Sequence, residues 1–310
     1  MPVPSALSGL RLPAIAAPMF LTSGPDLVVE CCRAGIVGSF PALNQRTGEG
    51  FGDWLAEIGE RTAGAAPFGV NLIVHRSNPR LEPDLARIVA AKVPLVITSL
   101  GAVSEVVEAV HGYGGLVFHD VTTRRHAEKA AEAGVDGIIA VAAGAGGHAG
   151  TLNPFALLAE IRQVFDGTLI LGGAINTGAQ IAAARIAGAD LAYLGTRFIA
   201  TREAMVPADY KRMIRDTAAS DILYTPAISG VAANFLRPSI LAAGLDPDAL
   251  PPHVKVDVGS EAKAWSTVWS AGHGTGGISD EPAAADLVER LVAEYRAAMA
   301  AAASDPFVAT

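Results

Sequence analysis

The sequence predicts an α/β chain folded as a (β/α)8 TIM barrel, with a small subdomain inserted after the eighth strand. Three observations carry this expectation. Short β-branched runs alternate with alanine-rich stretches along most of the 310 residues, the rhythm of successive βα units around a parallel sheet. Several runs, such as Leu95-Val96-Ile97 and Leu169-Ile170-Leu171, are apolar throughout, as strands covered on both faces require. The turns into two strands, Ala133-Gly134-Val135-Asp136-Gly137 and Ala187-Gly188-Ala189-Asp190, fit a helix stopped by a left-handed glycine.

In chain order, strands are expected over residues 14–17, 36–40, 68–73, 95–98, 116–119, 137–141, 168–171 and 191–194, with a first helix over 26–34. Past the eighth strand the alternation fails. A helix is expected from 203 to about 219, then an irregular stretch reaching 261 that contains Pro226, Pro238, Pro247, Pro251 and Pro252. The barrel is therefore assigned to 1–203 plus 262–310, and a small subdomain lying over its mouth to 204–261. A helix around Trp265 and an alanine-rich helix from 281 to about 303, with Glu289, Arg290, Glu294 and Arg296 on its polar side, complete the chain.

Composition narrows the function. A net charge of −8 and the lack of a basic cluster argue against nucleic-acid and anionic-membrane partners. No run is long and apolar enough for a membrane span, and the opening residues do not read as a signal peptide. Adjacent Cys31 and Cys32 give no disulfide framework, so a reducing, cytoplasmic setting is expected. No metal is expected, since no histidine or cysteine pair beyond His119 and His126 shows ligand spacing.

Active sites in this fold lie at the carboxyl ends of the strands. The loops there carry Pro18-Met19-Phe20, Pro41-Ala42-Leu43-Asn44, Asn71, Thr98-Ser99, His119-Asp120, Gly172-Gly173-Ala174 and Gly195-Thr196-Arg197. After the sixth strand comes Gly144-Ala145-Gly146-Gly147-His148-Ala149-Gly150, where clustered glycines let a flat ligand approach the main chain beside one imidazole. A flexible turn with a solvated histidine weighs equally from that loop alone. The loops with Gly172, Gly173, Gly195 and Thr196 follow the seventh and eighth strands, where barrels hold a phosphate on backbone N–H groups. Between that end and the glycine loop lies room for a planar ring, closed by Met19, with the Asn71 amide at its edge. No Gly-x-Gly-x-x-Gly occurs in the place a dinucleotide fold needs, so FMN is the more natural cofactor.

Taken together, these residues resemble the nitronate monooxygenase family, formerly the 2-nitropropane dioxygenases. The matching motifs are Ala16-Ala17-Pro18-Met19, Gly69-Val70-Asn71, Gly134-Val135-Asp136-Gly137 leading to Gly146-Gly147-His148, Gly172-Gly173, and Gly188-Ala189-Asp190 leading to Gly195-Thr196-Arg197-Phe198. They span roughly 11 to 203, with Trp269-Ser270-Ala271-Gly272 similar to a late family motif. The resemblance implies an FMN-containing oxidoreductase that converts alkyl nitronates and dioxygen to a carbonyl compound and nitrite. It makes His148 the catalytic residue and Met19, Asn71, Gly146, Gly147, Gly172, Gly173, Gly195 and Thr196 the cofactor contacts.

The chain departs from the family at two points. Asp120 stands where a lysine is frequent, and Val141 where Gln or Asp is frequent. A missing cation near the flavin bears on its redox behaviour, with Arg124, Arg125 or Arg197 as candidates to replace it. An NAD(P)H-dependent flavin oxidoreductase, of quinone reductase or enoyl-acyl-carrier-protein reductase type, is the enzymatic alternative. A barrel that only binds a phosphate ligand is the non-enzymatic one. NAD(P)H use and a homodimer are left open, and so are substrate contacts from His75, Arg76, Asn78 and His273. Tyr224, Pro226 and Phe235 are expected to pack the subdomain's own core.

Overall fold

The computed structural model describes residues 3–75, 77–101, 104–250, 265 and 267–307. Its centre is a closed parallel barrel of eight strands. These are β1 (Ala14–Ala16), β2 (Val37–Pro41), β3 (Phe68–Ile73), β4 (Leu95–Ser99), β5 (Leu116–Val121), β6 (Gly137–Val141), β8 (Thr168–Gly172) and β9 (Leu191–Leu194). Closure is made by β9 on β1, with Ala14 opposite Ala192 and Ala16 opposite Leu194. Helices α1 (Pro25–Ala34), α2 (Gly48–Arg61), α3 (Leu81–Ala91), α4 (Ser104–His111), α5 (Arg124–Glu132), α6 (Pro154–Arg162), α7 (Gly178–Ile186) and the short α8 (Thr196–Ile199) follow the barrel strands in turn.

Side chains alternate across each strand, and this sorts the chain into two apolar layers. Ile15, Val37, Leu95, Ile97, Phe118, Ile139, Ile170 and Leu191 point inward and fill the barrel, with Leu7 plugging its amino-terminal end. Val96, Val117, Ile138, Leu169 and Ala192 point outward and pack under the helices. Gly137 belongs to the inner layer for a steric reason: a Cβ there would sit 2.5 Å from the Phe118 ring. The alanine-rich helix α11 (Ala284–Ala303) returns to pack on α1 and α7.

The expected strands are present, most of them shifted or extended by one or two residues at an end. The extension of β5 to Val121 matters most, because it makes Asp120 a strand residue. Two expectations are corrected. The helix expected from 203 is only α9 (Ala208–Asp216), because Pro207 stands at its N-cap and cannot continue a helix backwards. The stretch that follows is less irregular than its prolines suggest: β10 (Ile222–Thr225) and β11 (Ala233–Leu236) pair antiparallel, followed by α10 (Arg237–Ala242). In addition, β11 pairs with β7 (Gly147–His148), so the imidazole sits on a strand and not on a free loop. The expected helix around Trp265 and the end of the subdomain at 251–261 lie largely outside the described residues.

Candidate active site

At the carboxyl end of the barrel strands is a cavity of about 1040 Å³, at the upper end of what small-molecule sites occupy. Met19, Asn71, Gly146, Gly147, His148, Gly172, Gly173, Gly195 and Thr196 all line it. Residues separated by nearly two hundred positions in the chain thus converge, because each lies at the carboxyl end of a barrel strand or in the connection that follows one.

The glycine loop is held by segments far away in sequence. Ser270 Oγ accepts from Gly147 N at 2.7 Å and donates to the Asn234 carbonyl at 2.7 Å, while Asn234 Nδ2 donates to Ala145 O at 2.7 Å. His273 N donates to Gly144 O at 2.9 Å. Gly272 lies so close that a Cβ on it would meet Gly144 O at 2.3 Å. Gly147 takes φ +68, a conformation that favours glycine. The His148 ring stands edge-on to Trp265, centroids 5.6 Å apart, which limits its rotation.

The opposite end carries the phosphate candidates. Gly173 at φ +138 turns the chain out of β8, and Gly195 is the N-cap of α8. Thr196 Oγ1 accepts from Gly272 N at 2.9 Å, which leaves its own hydrogen to donate. Asn71 differs from expectation. Its Nδ2 donates to Ile97 O at 3.1 Å and Ser99 Oγ at 2.9 Å, so only its carbonyl oxygen is available to a ring.

Strand alternation separates His119 from Asp120. The former faces outward and bonds Thr98 Oγ1 at 2.8 Å, and burial, with a smaller effect of His126, pushes its pKa down to about 4. The latter lines the cavity. Its Oδ2 accepts from Ser99 Oγ at 2.6 Å, and its buried Oδ1 has no hydrogen-bond partner. Burial raises its pKa to about 6, against the opposing effects of Ser99 and His148. Tyr193, beside it in the lining, is pushed well above the usual phenol range by burial and by the Asp120 charge.

None of the expected substitute cations lies here. Arg197 is buried against Asp280 at 2.6 Å, and Arg124 pairs with Glu128 on α5. Arg125 is exposed on the same helix and is not in the lining. Two arginines that sequence reasoning did not single out, Arg46 and Arg80, line the cavity instead. His75 is outside the lining and bonds Ser77 Oγ at 2.7 Å, whereas Ser77 and Asn78 reach the cavity. Arg76 lies outside the described residues. His273 packs on Gly144 outside the lining, Phe235 is buried beside Trp265, and Tyr224 donates to Ala149 O at 2.9 Å. Among the described residues no group of three His, Cys, Asp or Glu could hold a metal, and no helix is long and apolar enough to cross a membrane.

The cavity fits a planar ring carrying a phosphate. Its walls at Met19, Val141 and Tyr193 are mostly apolar. Its glycine-lined end, with Gly173 at φ +138, leaves the main chain open to a ligand and offers the Thr196 hydroxyl as a donor.

The nitronate monooxygenase family profile matches residues 77–294. A nitronate monooxygenase of Paraburkholderia phytofirmans is 29% identical over 94% of both chains. A (3aS,4S,5R,7aS)-5-hydroxy-7a-methyl-1-oxo-octahydro-1H-indene-4-carboxyl-CoA dehydrogenase of Rhodococcus jostii is 28% identical over 76% of this chain and 65% of its own. Among solved structures, nitroalkane oxidase from Streptomyces ansochromogenes superposes with a TM-score of 0.82 at 28% identity, covering 96% of this chain and 100% of that one. FabK from Thermotoga maritima superposes at 0.81 with 22% identity, covering 96% of each chain, a likeness of fold alone.

Proposed function

The chain belongs to the nitronate monooxygenase family and is a flavin-dependent oxidoreductase; from that premise we propose that it binds FMN and oxidises alkyl nitronates with dioxygen to a carbonyl compound and nitrite. The observation that carries this reading is the convergence of His148 with glycine-lined strand ends on one cavity. Gly172, Gly173, Gly195 and Thr196 would hold the phosphate. Gly146 and Gly147, with Met19 opposite, would flank the ring, and the Asn71 carbonyl would accept from its edge.

The flavin, when bound, supplies the electron exchange with substrate and dioxygen. The remaining work falls to the chain. His148 accepts a proton from the carbon beside the nitro group, or holds the nitronate oxygens when the substrate arrives ionised. Trp265 keeps the imidazole in place, and the apolar walls exclude water.

Anaerobic mixing with propyl-2-nitronate and with NADH tests the proposal. Nitronate should bleach the flavin absorbance and NADH should not; rapid bleaching by NADH with indifference to nitronate would overturn it. His148→Ala should keep its flavin and lose about 10²- to 10⁴-fold in turnover. The volume of the cavity, with the exposed Arg46 in its lining, favours an NAD(P)H-dependent oxidoreductase as the second reading. The NADH arm of the same experiment decides between them.

A further inference from the structure

Asp120 is a polar side chain of the cavity that the proposed reaction leaves unused. Its position is fixed by a directed chain of hydrogen bonds. Asn71 Nδ2 donates to Ser99 Oγ at 2.9 Å, and the Ser99 hydroxyl donates to Asp120 Oδ2 at 2.6 Å. The other oxygen, Oδ1, is buried without a partner. Since Asp120 lines the cavity, the partner of Oδ1 has to come from what the cavity holds. A neutral acid carries on Oδ1 a hydrogen that a ligand oxygen can accept.

No hydrogen-bond donor among the described residues reaches Oδ1, and the stabilisation that Ser99 and His148 lend the carboxylate is outweighed by burial. Among the described residues the titratable groups acting on Asp120 are His148 from β7 and Tyr193 from β9. Neighbouring strands β3, β4 and β6 present Asn71, Ser99 and Val141, none of them charged. Arg46 and Arg80 also line the cavity, but Arg80 is engaged by Asp84 at 2.8 Å and Arg46 is exposed.

We propose that Asp120 sets the charge of the ligand this cavity takes: a small oxyanion enters only together with a proton carried on Asp120 Oδ1, which then donates to an oxygen of the anion. This deepens the reading of the site as a nitronate site and rests on it. The proton comes from solvent and returns there when the anion leaves, so no bond to carbon or nitrogen is made or broken. Burial, which already lifts the carboxyl to about 6, supports the same assignment. An anion bound beside it lifts it further, because two like charges in one small cavity repel.

The test titrates nitrate, a planar trigonal oxyanion, into the flavin-loaded protein between about pH 5 and pH 8. Binding is read by flavin absorbance and by calorimetry in two buffers of different ionisation enthalpy. The wild type should lose affinity about tenfold per pH unit above about pH 6 and take up about one proton per nitrate near neutrality. Both effects should vanish in Asp120→Asn and persist in His148→Asn, which keeps the carboxyl. Ser99→Ala removes a hydrogen bond that favours the ionised form, so it should move the break to higher pH. An unchanged slope in Asp120→Asn, a flat wild type, or no nitrate binding at the acid end overturns the proposal. None of these readings involves turnover. A protein with the Asp120-dependent slope that leaves nitronates untouched refutes the functional reading alone, and one that oxidises nitronates without the slope refutes this inference alone.

Discussion

Consecutive residues on β5 have opposite fates, since alternation sends His119 to the helix side and Asp120 to the cavity. Both are desolvated, and desolvation favours the neutral form of each. For His119 this lowers the folded-state pKa to about 4 from the ordinary 6.5. The unfolded chain therefore binds the proton more tightly. The contribution to stability is complete above about pH 6.5 and is lost as pH falls through about 4, a total of about 3 kcal/mol. His119→Gln keeps a hydrogen-bonding partner for Thr98 and does not titrate. Urea unfolding at mildly acid and neutral pH should show a smaller loss of stability on acidification in this variant than in the wild type. For Asp120 the sign is reversed: its raised pKa favours folding below the unfolded value near 3.8, and that benefit is lost as pH rises through about 6.

The glycine loop is the element on which the site depends, yet its shape is imposed by segments about ninety to one hundred and twenty residues later in the chain. Ser270 bridges Gly147 N and Asn234 O at 2.7 Å each, tying β7 to β11. Ser270→Ala leaves the Gly147 N–H without this acceptor, which should cost about 1 to 3 kcal/mol. The expected result is a lower melting temperature together with a fall in kcat larger than the change in KM, because His148 loses its mooring while the substrate walls remain. Unchanged kcat would show that β7 holds its place without Ser270. The family resemblance already flags Trp269-Ser270-Ala271-Gly272, so this support was visible as a motif. Its partner was hidden, because pairing between β11 and β7 joins segments far apart in sequence.

At the scale of the molecule the two ends of the barrel divide the labour. The amino-terminal end holds Asp190, nearly fully buried, which accepts from Leu169 N at 2.9 Å and Arg162 Nη2 at 2.8 Å. Removing one partner of such a pair leaves the other uncompensated. Asp190→Ala should cost about 3 kcal/mol, the lower end of the usual range because Arg162 keeps some contact with water. Thermal unfolding should show the loss, while kcat of the protein that remains folded should stay at the wild-type value. A variant with normal stability and impaired kcat would contradict this division.

The sequence by itself determined the eight-strand rhythm, the two apolar layers, and the gathering of His148, the glycine pairs and Thr196 at one rim. Those features follow from local periodicity and from the rule that alternate side chains share a face, both of which are written in consecutive residues. Only the tertiary structure decided that Arg197 is spent on Asp280, that Asn71 turns its donors inward, and that Asp120 keeps one oxygen unpaired. Hydrogen-bond partners and desolvation depend on which distant side chains arrive at the same point, and no local pattern encodes that.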